Sequence, residues 1–440
     1  MRRRARVVGR FARASRRCEM ASFELLLVGI AIFLQVGSAG AQIAENSVTV
    51  TSVALGAKHT CALLSPEQRV KCWGTSSHGT LNTDRMIDGE CLPFVNLGSN
   101  AKVGAIVTST GELDSFSCAI LIDGEKTTTD GPVKCWGNNL DGQLGIGSSD
   151  PSVGISEAEM GDSLATVNLG TSRKAVSMCV GVHHSCAVLD NAAIKCWGVN
   201  GEGQLGQGDR VDRGASLNDM GDNLPQVNLG TGARALEVTC GKDFTCARLE
   251  GGAVKCWGAN TYGQLGMGDV QSRGWVPSDL GDNLPALDLG GRAAGLSAGD
   301  HHVCARLEGN DLKCWGANGA GQLGRGDSAH YGGAPRHMGA NLTAGVSGVK
   351  QVAAGREHTC ALLQPLPGVV ASVKCWGRRS PALGLPAEGN VGDGPGEMAA
   401  LGSLDLGDVP AEVQGVRKKD QLTHLPELNR DTLLCLVRRP

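Results

Sequence analysis

The sequence predicts an all-β protein of the β-propeller class, and three observations support that prediction. The tripeptide Cys-Trp-Gly recurs six times, with its tryptophans 63, 61, 60, 58 and 61 residues apart. Two short segments of alternating polarity, separated by a turn, surround each copy. Helical periodicity is absent from the repeats, which argues against a helical solenoid. Repeats at so even a spacing bury their apolar faces against one another.

Residues 234–268 show how one repeat is built. Ala235–Val238 is predicted to be a first strand, Phe244–Leu249 a second, and Ala253–Trp257 a third that follows the turn at Glu250–Gly252. A short fourth strand is predicted at Val227–Gly230 or its equivalent in the next repeat. Three or four short antiparallel strands in about 60 residues is typical of a propeller blade.

The chain divides into a leader, a repeat array and a tail. We assign residues 1–41 to a signal peptide, 48–408 to a six-repeat β-propeller, and 409–440 to a degenerate seventh repeat or a C-terminal tail. Seven blades are favoured, with the N-terminal strand Val48–Leu55 closing the ring, and six blades are the alternative.

The leader has the pattern of an export signal. Eight arginines up to Arg17 precede a short apolar run, and Ala39-Gly40-Ala41 is a small-x-small cleavage site that would leave Gln42 as the mature start. The apolar segment from Phe23 to Val36 is short for a membrane span. The alternatives are an uncleaved signal that anchors the protein in a membrane and a basic leader that directs it to the nucleus or an organelle.

The cysteines indicate an oxidising compartment. Twelve of the 17 form six pairs spaced for opposition across a hairpin, where Cα atoms about 4.5 Å apart suit a disulfide. The predicted pairs are Cys61 with Cys72, Cys118 with Cys135, Cys186 with Cys196, Cys246 with Cys256, Cys304 with Cys314, and Cys360 with Cys375. The alternatives are reduced, buried cysteines and, less favoured, zinc ligands.

Four further cysteines of the mature chain have several alternative pairings. Cys179 and Cys240 stand two and one residues before a glycine, which places them on opposite strand faces and does not favour a bond between neighbouring blades. Cys91 and Cys435 are candidates for tying the first repeat to the tail.

The order His-Thr-Cys-Ala-Leu, turn, Val-Lys-Cys-Trp-Gly, then Asn-x-x-Gly-Gln-Leu-Gly resembles the regulator of chromosome condensation repeat family over residues 48–408. The resemblance implies a β-propeller, commonly of seven blades, and the hairpin cysteines match an exported form of the repeat. The last motif is intact only from Asn139, Asn200, Asn260 and Asn318.

Most other conspicuous side chains are interpreted as structural. The slot before a hairpin cysteine holds His59, His184, His302 or His358 in four repeats and Phe116 or Phe244 in two, so it is a packing position with a polar edge. The repeated tryptophans are predicted to fill the space between adjacent sheets. Aspartates next to glycine suit turns better than calcium, because the alternating aspartates of a calcium loop are missing.

The long loops between Gly-x-Gly-Asp and Met-Gly-Asp vary most between repeats, and equivalent loops of a propeller lie on one face. Within them we predict ligand binding by Arg213, Arg273, Trp275 and Tyr331, because exposed arginine and aromatic side chains are typical interface anchors. The alternative is that these side chains pack their own loops. Asn341 begins the single Asn-x-Thr glycan acceptor sequence.

These observations predict a secreted or cell-surface, non-enzymatic binding scaffold for an unidentified protein or glycan. We expect no cofactor, no metal, no nucleic-acid partner and no stable membrane insertion after signal cleavage. The net charge of −3 includes no long run of one sign after the leader. The alternative function, which follows from the family resemblance, is an intracellular guanine-nucleotide exchange factor or chromatin-associated regulator.

Overall fold

The computed structural model describes residues 49–56, 59–74, 93–111, 115–123, 130–342, 345–364, 372–379 and 389–404. Within them the chain forms six consecutive antiparallel sheets, which confirms the all-β propeller prediction. The leader at 1–41, the tail at 409–440, Cys91 and Cys435 lie outside the described residues.

Each sheet is one blade, and three blades come from the first half of the array. Blade 1 contains β1 (Thr49–Leu55), β2 (His59–Ser65) and β3 (Arg69–Gly74). Blade 2 contains β4 (Val103–Thr108), β5 (Phe116–Leu121), β6 (Val133–Asn138) and β7 (Ser152–Val153). Blade 3 contains β8 (Ala175–Val180), β9 (His184–Leu189) and β10 (Ile194–Gly198).

The second half of the array supplies blades 4 to 6. Blade 4 contains β11 (Ala235–Cys240), β12 (Phe244–Leu249) and β13 (Val254–Gly258). Blade 5 contains β14 (Ala293–Ala298), β15 (His302–Leu307) and β16 (Leu312–Gly316). Blade 6 contains β17 (Val349–Ala354), β18 (His358–Leu363) and β19 (Val373–Gly377).

The remaining regular structure is short and follows the strands. The 3-10 helices are Glu157–Glu159, Gly161–Ser163, Leu217–Asp219, Gly221–Asn223, Glu250–Gly252, Pro277–Asp279, Gly281–Asn283 and Gly339–Asn341. The single described α-helix, α1, covers Glu397–Ala400.

The predicted strands of blade 4 agree with the structure except at the fourth. The segment Val227–Gly230 is not a strand, and the outer edge of a blade is instead closed by isolated bridges such as Gly198 with Arg213 and Lys195 with Gln226. The chain between those two bridges is taken up by 3-10 turns at Leu217–Asp219 and Gly221–Asn223, which interrupt a continuous ladder. Blade 2 alone, among the described blades, has a fourth strand, the two-residue β7.

The N-terminal strand belongs to the first blade. β1 pairs with β2 from Thr49 opposite Ser65 to Leu55 opposite Thr60, so it is that repeat's own first strand. The described residues therefore contain six blades, each with its first strand supplied by its own repeat.

All six predicted hairpin pairs are bonded, which confirms the pairing. The bonds join Cys61 to Cys72, Cys118 to Cys135, Cys186 to Cys196, Cys246 to Cys256, Cys304 to Cys314, and Cys360 to Cys375. The two cysteines of each pair stand directly opposite in the strand register, and their Cα atoms are 4.1 Å apart in every pair.

Longer hairpin tips leave this opposition intact, because their extra residues lie beyond the paired strands. Cys118 and Cys135 are 17 residues apart in sequence, and Cys360 and Cys375 are 15 apart, yet each pair keeps the same register as the shorter hairpins. The cysteines that precede tryptophan are as deeply enclosed as their partners: Cys72 and Cys314 are each 4% exposed, and Cys375 is fully buried. The hairpin disulfides are therefore part of the packed interior.

The structure also bonds Cys179 to Cys240, a pairing that the sequence left open but did not favour. The two residues do lie on opposite strand faces. In a propeller, however, one face of a blade packs against the opposite face of the next blade, so residues on opposite faces are those that meet across the gap. Cys179 and Cys240 both belong to the core between blades 3 and 4, whereas Met178, beside Cys179 in β8, belongs to the core between blades 2 and 3.

Apolar cores fill the five gaps between successive described blades, and the repeated tryptophan occupies each of them. Trp257 is fully buried between blades 3 and 4, where its indole nitrogen donates to the carbonyl of Gln204 at 3.0 Å. Gly206 of the same Gly-Gln-Leu-Gly motif has a φ of 63°, and a Cβ there would lie 2.6 Å from the indole nitrogen. The predicted packing role of the tryptophans agrees with this geometry, although Trp73 of blade 1 is only partly buried.

A second set of contacts joins neighbouring repeats at the opposite end of the blades. The buried ammonium of Lys195 donates to the carbonyls of Leu169 (3.0 Å) and Gly221 (2.6 Å). Asp222 accepts from the backbone and hydroxyl of Thr171 at 2.9 and 2.5 Å. Lys134 and Lys255 make the equivalent bonds in their own repeats. The lysine of Val-Lys-Cys-Trp-Gly therefore donates to backbone carbonyls that lie between neighbouring repeats.

Candidate functional site

The candidate site is the end of the blades at which each third strand finishes and the long variable loop begins. We call it the loop end. After β13, Asn260 holds the loop in shape: its amide donates to the carbonyl of Asp269 at 2.9 Å, and its oxygen accepts from the amide of Leu265 at 2.9 Å. Asn-x-x-Gly-Gln-Leu-Gly is therefore the loop's internal scaffold, and variation is confined to the residues that follow it.

Each long loop rests on the blade before it. The Gly208 amide donates to the carbonyl of Gly274 at 3.1 Å, and the Gly268 amide donates to the carbonyl of Gly332 at 2.9 Å. A Cβ on Gly263 would lie 2.2 Å from the backbone nitrogen of Gly333. The loops are thus held closely along the seams between blades, which gives their exposed side chains fixed positions.

Three of the four predicted ligand residues make contacts inside their own loops. The Arg213 guanidinium donates to both carboxylate oxygens of Asp209 at 3.0 and 2.7 Å. Arg273 makes the equivalent bond to Asp269 at 2.7 Å. The Tyr331 hydroxyl donates to Asp327 at 3.0 Å. In each case the partner is the aspartate four residues earlier, so the two side chains of Asp-x-x-x-Arg/Tyr hold the loop in shape. We call this contact the loop clamp. It was not predicted, although the four-residue spacing is visible in three repeats.

Trp275 differs from these three because the residue is 36% exposed. The Arg210 guanidinium lies over the ring at 4.6 Å from its centre, and Gly203 of the preceding blade lies under its edge. Backbone amides of the loop, including that of Trp275 at 3.2 Å, donate to Asp279. Trp275 is therefore a rigidly held aromatic side chain with an accessible face, as an interface anchor requires.

Exposed apolar side chains concentrate at the loop end. Of the eleven large hydrophobic residues that are exposed in the described part of the chain, eight lie in segments between a third strand and the next blade. They are Leu140, Ile155, Val211, Leu217, Tyr262, Val270, Trp275 and Val276. The other three, Leu55, Val176 and Leu236, lie on first strands.

Charged side chains surround the axis at the same end. Asp300, after β14, accepts from the Thr110 hydroxyl of blade 2 at 2.8 Å and lies 3.4 Å from the Arg356 guanidinium of blade 6. Burial raises the pKa of Asp300 to about 6. Burial likewise raises the pKa of Asp243, which lies in the equivalent loop of blade 4, one position later. Thr110, Asp300 and Arg356 therefore join loops of blades 2, 5 and 6 in a polar cluster.

Three of the histidines that precede a hairpin cysteine are buried and contact the next blade. The Nε2 atoms of His59, His184 and His302 lie 2.9, 3.0 and 3.0 Å from the hydroxyl oxygens of Ser117, Thr245 and Thr359 in the next blade. Burial lowers the pKa of His59 to about 4 and those of His184 and His302 to about 3. These neutral, buried rings match the predicted packing role.

Among the described residues, one group of three metal-ligating side chains brings its ligand atoms together: Cys179, Cys186 and Cys240, with sulfur atoms within 4.8 Å of one another. Both pairs to which they belong are disulfides, so these sulfur atoms are not thiolate ligands in this state. The predicted glycan acceptor Asn341 is exposed at the end of a 3-10 helix, and Thr343 of its acceptor sequence lies outside the described residues.

One profile of the regulator of chromosome condensation (RCC1) repeat matches residues 196–248, 252–306 and 314–362, and a second matches residues 50–80, 236–264 and 294–322. Residues 50–80 and 196–362 are therefore RCC1 repeats. The repeats account for the Cys-Trp-Gly spacing and for the Asn-x-x-Gly-Gln-Leu-Gly scaffold of the loop end.

Curated relatives share these repeats at moderate identity. The ultraviolet-B receptor UVR8 of Arabidopsis thaliana is 29% identical over 280 residues, which are 63% of this chain and 56% of the receptor. The probable E3 ubiquitin-protein ligase HERC4 of Rattus norvegicus is 30% identical over 220 residues, which are 50% of this chain and 18% of the ligase. The chain thus spans about half of one RCC1-repeat relative and a fifth of another.

Solved structures of RCC1-repeat proteins show the same fold. Prp20p of Saccharomyces cerevisiae, described with its binding to Gsp1p and histones, superposes with a TM-score of 0.56 at 19% identity over 81% of this chain and 76% of that chain. Human WBSCR16 gives a TM-score of 0.53 at 19% identity, over 73% and 76% of the two chains. Within the part of this RCC1-repeat chain that the structure describes, no helix has the length and apolarity to cross a membrane.

Proposed function

We propose that this RCC1-repeat protein is an exported, non-enzymatic binding scaffold that recognises a protein or a glycan through its loop end. The distribution of exposed apolar side chains carries the proposal: eight of eleven lie at that end, on loops held by backbone and side-chain contacts. Apolar side chains in fixed, exposed positions mark an interaction surface. Trp275, Arg213, Arg273 and Tyr331 are assigned to this surface, with Trp275 as the contacting ring and the other three as residues that fix the loops.

Export is supported by the sulfur chemistry. Seven disulfides link 14 of the 17 cysteines, and disulfides persist in oxidising compartments. Residues 1–41 are proposed as the signal that delivers the chain there, with Gln42 as the mature start, and Asn341 as a glycan acceptor in a eukaryotic host.

The hydrogen bonds that the loop-end carboxylates already make favour a non-catalytic role. Asp209, Asp269 and Asp327 bind the arginine or tyrosine of their own loops, and Asp219 and Asp279 accept from loop amides. Carboxylates engaged in this way shape a surface and are poorly placed to act as general acids or bases.

The full chain, expressed through a secretory pathway, tests both parts of this proposal. Export predicts protein in the medium with Gln42 at its N-terminus, and retention inside the cell would contradict it. Binding to arrays of extracellular proteins and glycans is expected to fall when Trp275→Ser and Leu217→Ser are introduced together. The matched control is Val176→Ser with Leu236→Ser, which removes exposed apolar side chains from first strands; equal losses in both variants would contradict a loop-end site.

A further inference from the structure

We propose that the partner of the loop end is a basic polypeptide segment that presents apolar anchors. This inference rests on the proposed function and specifies its partner. Two properties of the same surface lead to it: an exposed apolar ridge over blades 2 to 4 and a strong excess of negative charge around that ridge.

The apolar ridge consists of six residues at neighbouring loop positions: Ile155, Val211, Leu217, Val270, Trp275 and Val276. Leu217 is 77% exposed, and Val211 and Val270 are each 57% exposed. Leu217 lies against Gly147 of the preceding blade, and Val270 lies against Gly333 of the following blade, so the ridge is built into the seams between blades. Apolar side chains this large and this exposed indicate a surface that binds an apolar partner.

The loops that carry the ridge are acidic. Segments 139–160, 199–220 and 259–280 contain ten carboxylates and three arginines, a net charge of −7, whereas the whole chain has a net charge of −3. The equivalent segment of blade 5, 317–338, contains one aspartate and two arginines, a net charge of +1. Blade 5, which carries none of the six ridge residues, therefore lacks this negative charge.

The three arginines of these loops contact groups of the loops themselves, so they present little positive charge to a partner. Arg213 and Arg273 are ion-paired with Asp209 and Asp269 at 2.7 Å. Arg210 lies over the Trp275 ring and donates to the carbonyl of Gly201 at 2.8 Å. Asp150, Glu157 and Asp212, in contrast, are exposed beside the ridge.

Charge complementarity then selects the partner. Cationic side chains flanking apolar anchors are attracted to an acidic rim around an apolar centre, which speeds association and fixes orientation. The same field repels nucleic acid and anionic lipid surfaces. A lysine- or arginine-rich segment with leucine or aromatic anchors satisfies both properties of the ridge.

The test uses the full mature chain and two synthetic probes, measured by fluorescence polarisation. One probe is an amphipathic peptide of lysine and leucine, about 18 residues long so that it spans a standard interface patch, and the other replaces every lysine by glutamate. We expect the lysine peptide to bind and the glutamate peptide not to bind. Binding should weaken as salt is raised from about 0.1 M to about 1 M, because the screening length falls from about 10 Å to about 3 Å.

Two variants and one control locate the site. Leu217→Ser with Trp275→Ser removes apolar anchors, and Glu157→Lys with Asp212→Lys reverses exposed charge; each is expected to weaken binding by at least about tenfold. Val176→Ser with Leu236→Ser should leave the affinity unchanged. Equal binding of both peptides, or equal losses in the control, would overturn the inference. Binding of a neutral glycan that depends on Trp275, with neither peptide bound, would overturn it while leaving the proposed function standing.

A separate observation carries a second inference, which concerns the sulfur atoms between blades 3 and 4. In blade 3, Cys179, Cys186 and Cys196 stand directly opposite one another on three successive strands. The position of Cys179 is occupied in the other described blades by Ala54, Val107, Thr239, Ser297 and Ala353. Cys240 of blade 4 completes the group, and the sulfur atoms of Cys179, Cys186 and Cys240 all lie within 4.8 Å of one another.

We infer that this group is a thiol–disulfide exchange site. A dithiol reductant opens Cys179–Cys240 and is itself oxidised to its disulfide. The Cys179 thiolate then attacks the sulfur of Cys186, a Cys179–Cys186 bond forms, and Cys196 leaves as a thiolate that takes up a proton. The exchange conserves electrons, removes the covalent link between blades 3 and 4 and leaves thiols at Cys196 and Cys240.

Peptide mapping after alkylation tests this exchange. In Cys240→Ser, Cys179 has no bonding partner, and we expect a fraction of molecules to contain Cys179 linked to Cys186 with Cys196 alkylated. The control, Cys179→Ser with Cys240→Ser, should retain the Cys186–Cys196 disulfide and leave Cys196 without alkylation. As a second measurement, limited dithiothreitol treatment of the native chain should alkylate Cys196 and Cys240 before other hairpin cysteines. Alkylation confined to Cys179 in the variant, or to Cys179 and Cys240 in the native chain, would overturn the inference.

Discussion

The Thr110 hydroxyl donates to Asp300 Oδ1 at 2.8 Å and joins blade 2 to blade 5 across 190 residues of sequence. The other charged groups that face this carboxylate are Arg356, Lys242, Glu357 and Asp243. The Asp300 side chain is 9% exposed and the Arg356 side chain is 46% exposed, so solvent screens the guanidinium more than the carboxylate. Burial therefore dominates, and the pKa of Asp300 rises to about 6.

Asp300→Asn is expected to stabilise the propeller at neutral pH. The folded state retains the Asp300 proton up to about pH 6, whereas the unfolded chain loses it near 3.8, so the native protein loses stability as pH rises through that window. At about 1.4 kcal/mol per unit of pKa shift, the gain above pH 6 is about 1–3 kcal/mol. Asparagine can still accept from Thr110. Urea unfolding at pH 5 and pH 8 measures the change, and a larger gain at pH 5 would contradict it.

Buried histidines are expected to make the fold sensitive to acid. Burial lowers the pKa values of His59, His184 and His302 to about 4, 3 and 3, below the unfolded value of 6.5. Stability is therefore complete above pH 6.5 and is lost as pH falls through that value, by up to about 1.4 kcal/mol per pH unit for each ring.

The natural variation of the same slot supplies the test variant. Phe116 and Phe244 occupy the position of these histidines in two repeats. His184→Phe with His302→Phe should lose about 1 kcal/mol per missing hydrogen bond at pH 7.5 and should unfold at a lower pH than the native chain. Circular dichroism followed over an acid titration measures this shift. An unchanged or higher acid midpoint would show that these rings do not set the sensitivity.

The sequence predicted the blades and hairpin disulfides because both depend on local spacing. Alternation, turn residues and the opposition of Cys246 with Cys256 are determined within one repeat. The bond between Cys179 and Cys240 escaped prediction because it depends on which faces of two neighbouring blades meet, and the spacing within one repeat does not determine that. The same limitation applied to Thr110 and Asp300, whose contact joins blades that are distant in sequence.

For the candidate site, the sequence identified the variable loops but not the contacts within them. Loop variability located the loop end, and Trp275 is the exposed aromatic ring there. The clamp between Arg213 and Asp209 was missed because arginine was considered without its neighbour four residues earlier. The carbonyl caps made by Lys195 were missed for a different reason: a lysine in an alternating strand is normally interpreted as a solvent-exposed residue.

Lys195→Met is expected to destabilise the protein although it removes a charge from the interior. Lys195 is 4% exposed, and its ammonium donates to the carbonyls of Leu169 and Gly221. Methionine fills the space but leaves the Leu169 carbonyl without its donor, whereas the Gly221 carbonyl keeps the Leu224 amide at 3.2 Å, so the expected cost is about 1–3 kcal/mol. Lys350→Met is the matched control, because Lys350 is exposed on β17. Similar unfolding midpoints for the two variants would contradict the capping role.

Thiol accessibility distinguishes an exported propeller from the intracellular alternative. Seven disulfides account for 14 of the 17 cysteines, and those not included are Cys18, Cys91 and Cys435. Protein purified without reductant, unfolded in the presence of an alkylating agent and weighed by mass spectrometry is expected to carry at most three labels. Prior reduction should raise the number to that of all cysteines present. Twelve or more labels before reduction would mean that the hairpin pairs are open in the native protein, and assignment to an oxidising compartment would then be untenable.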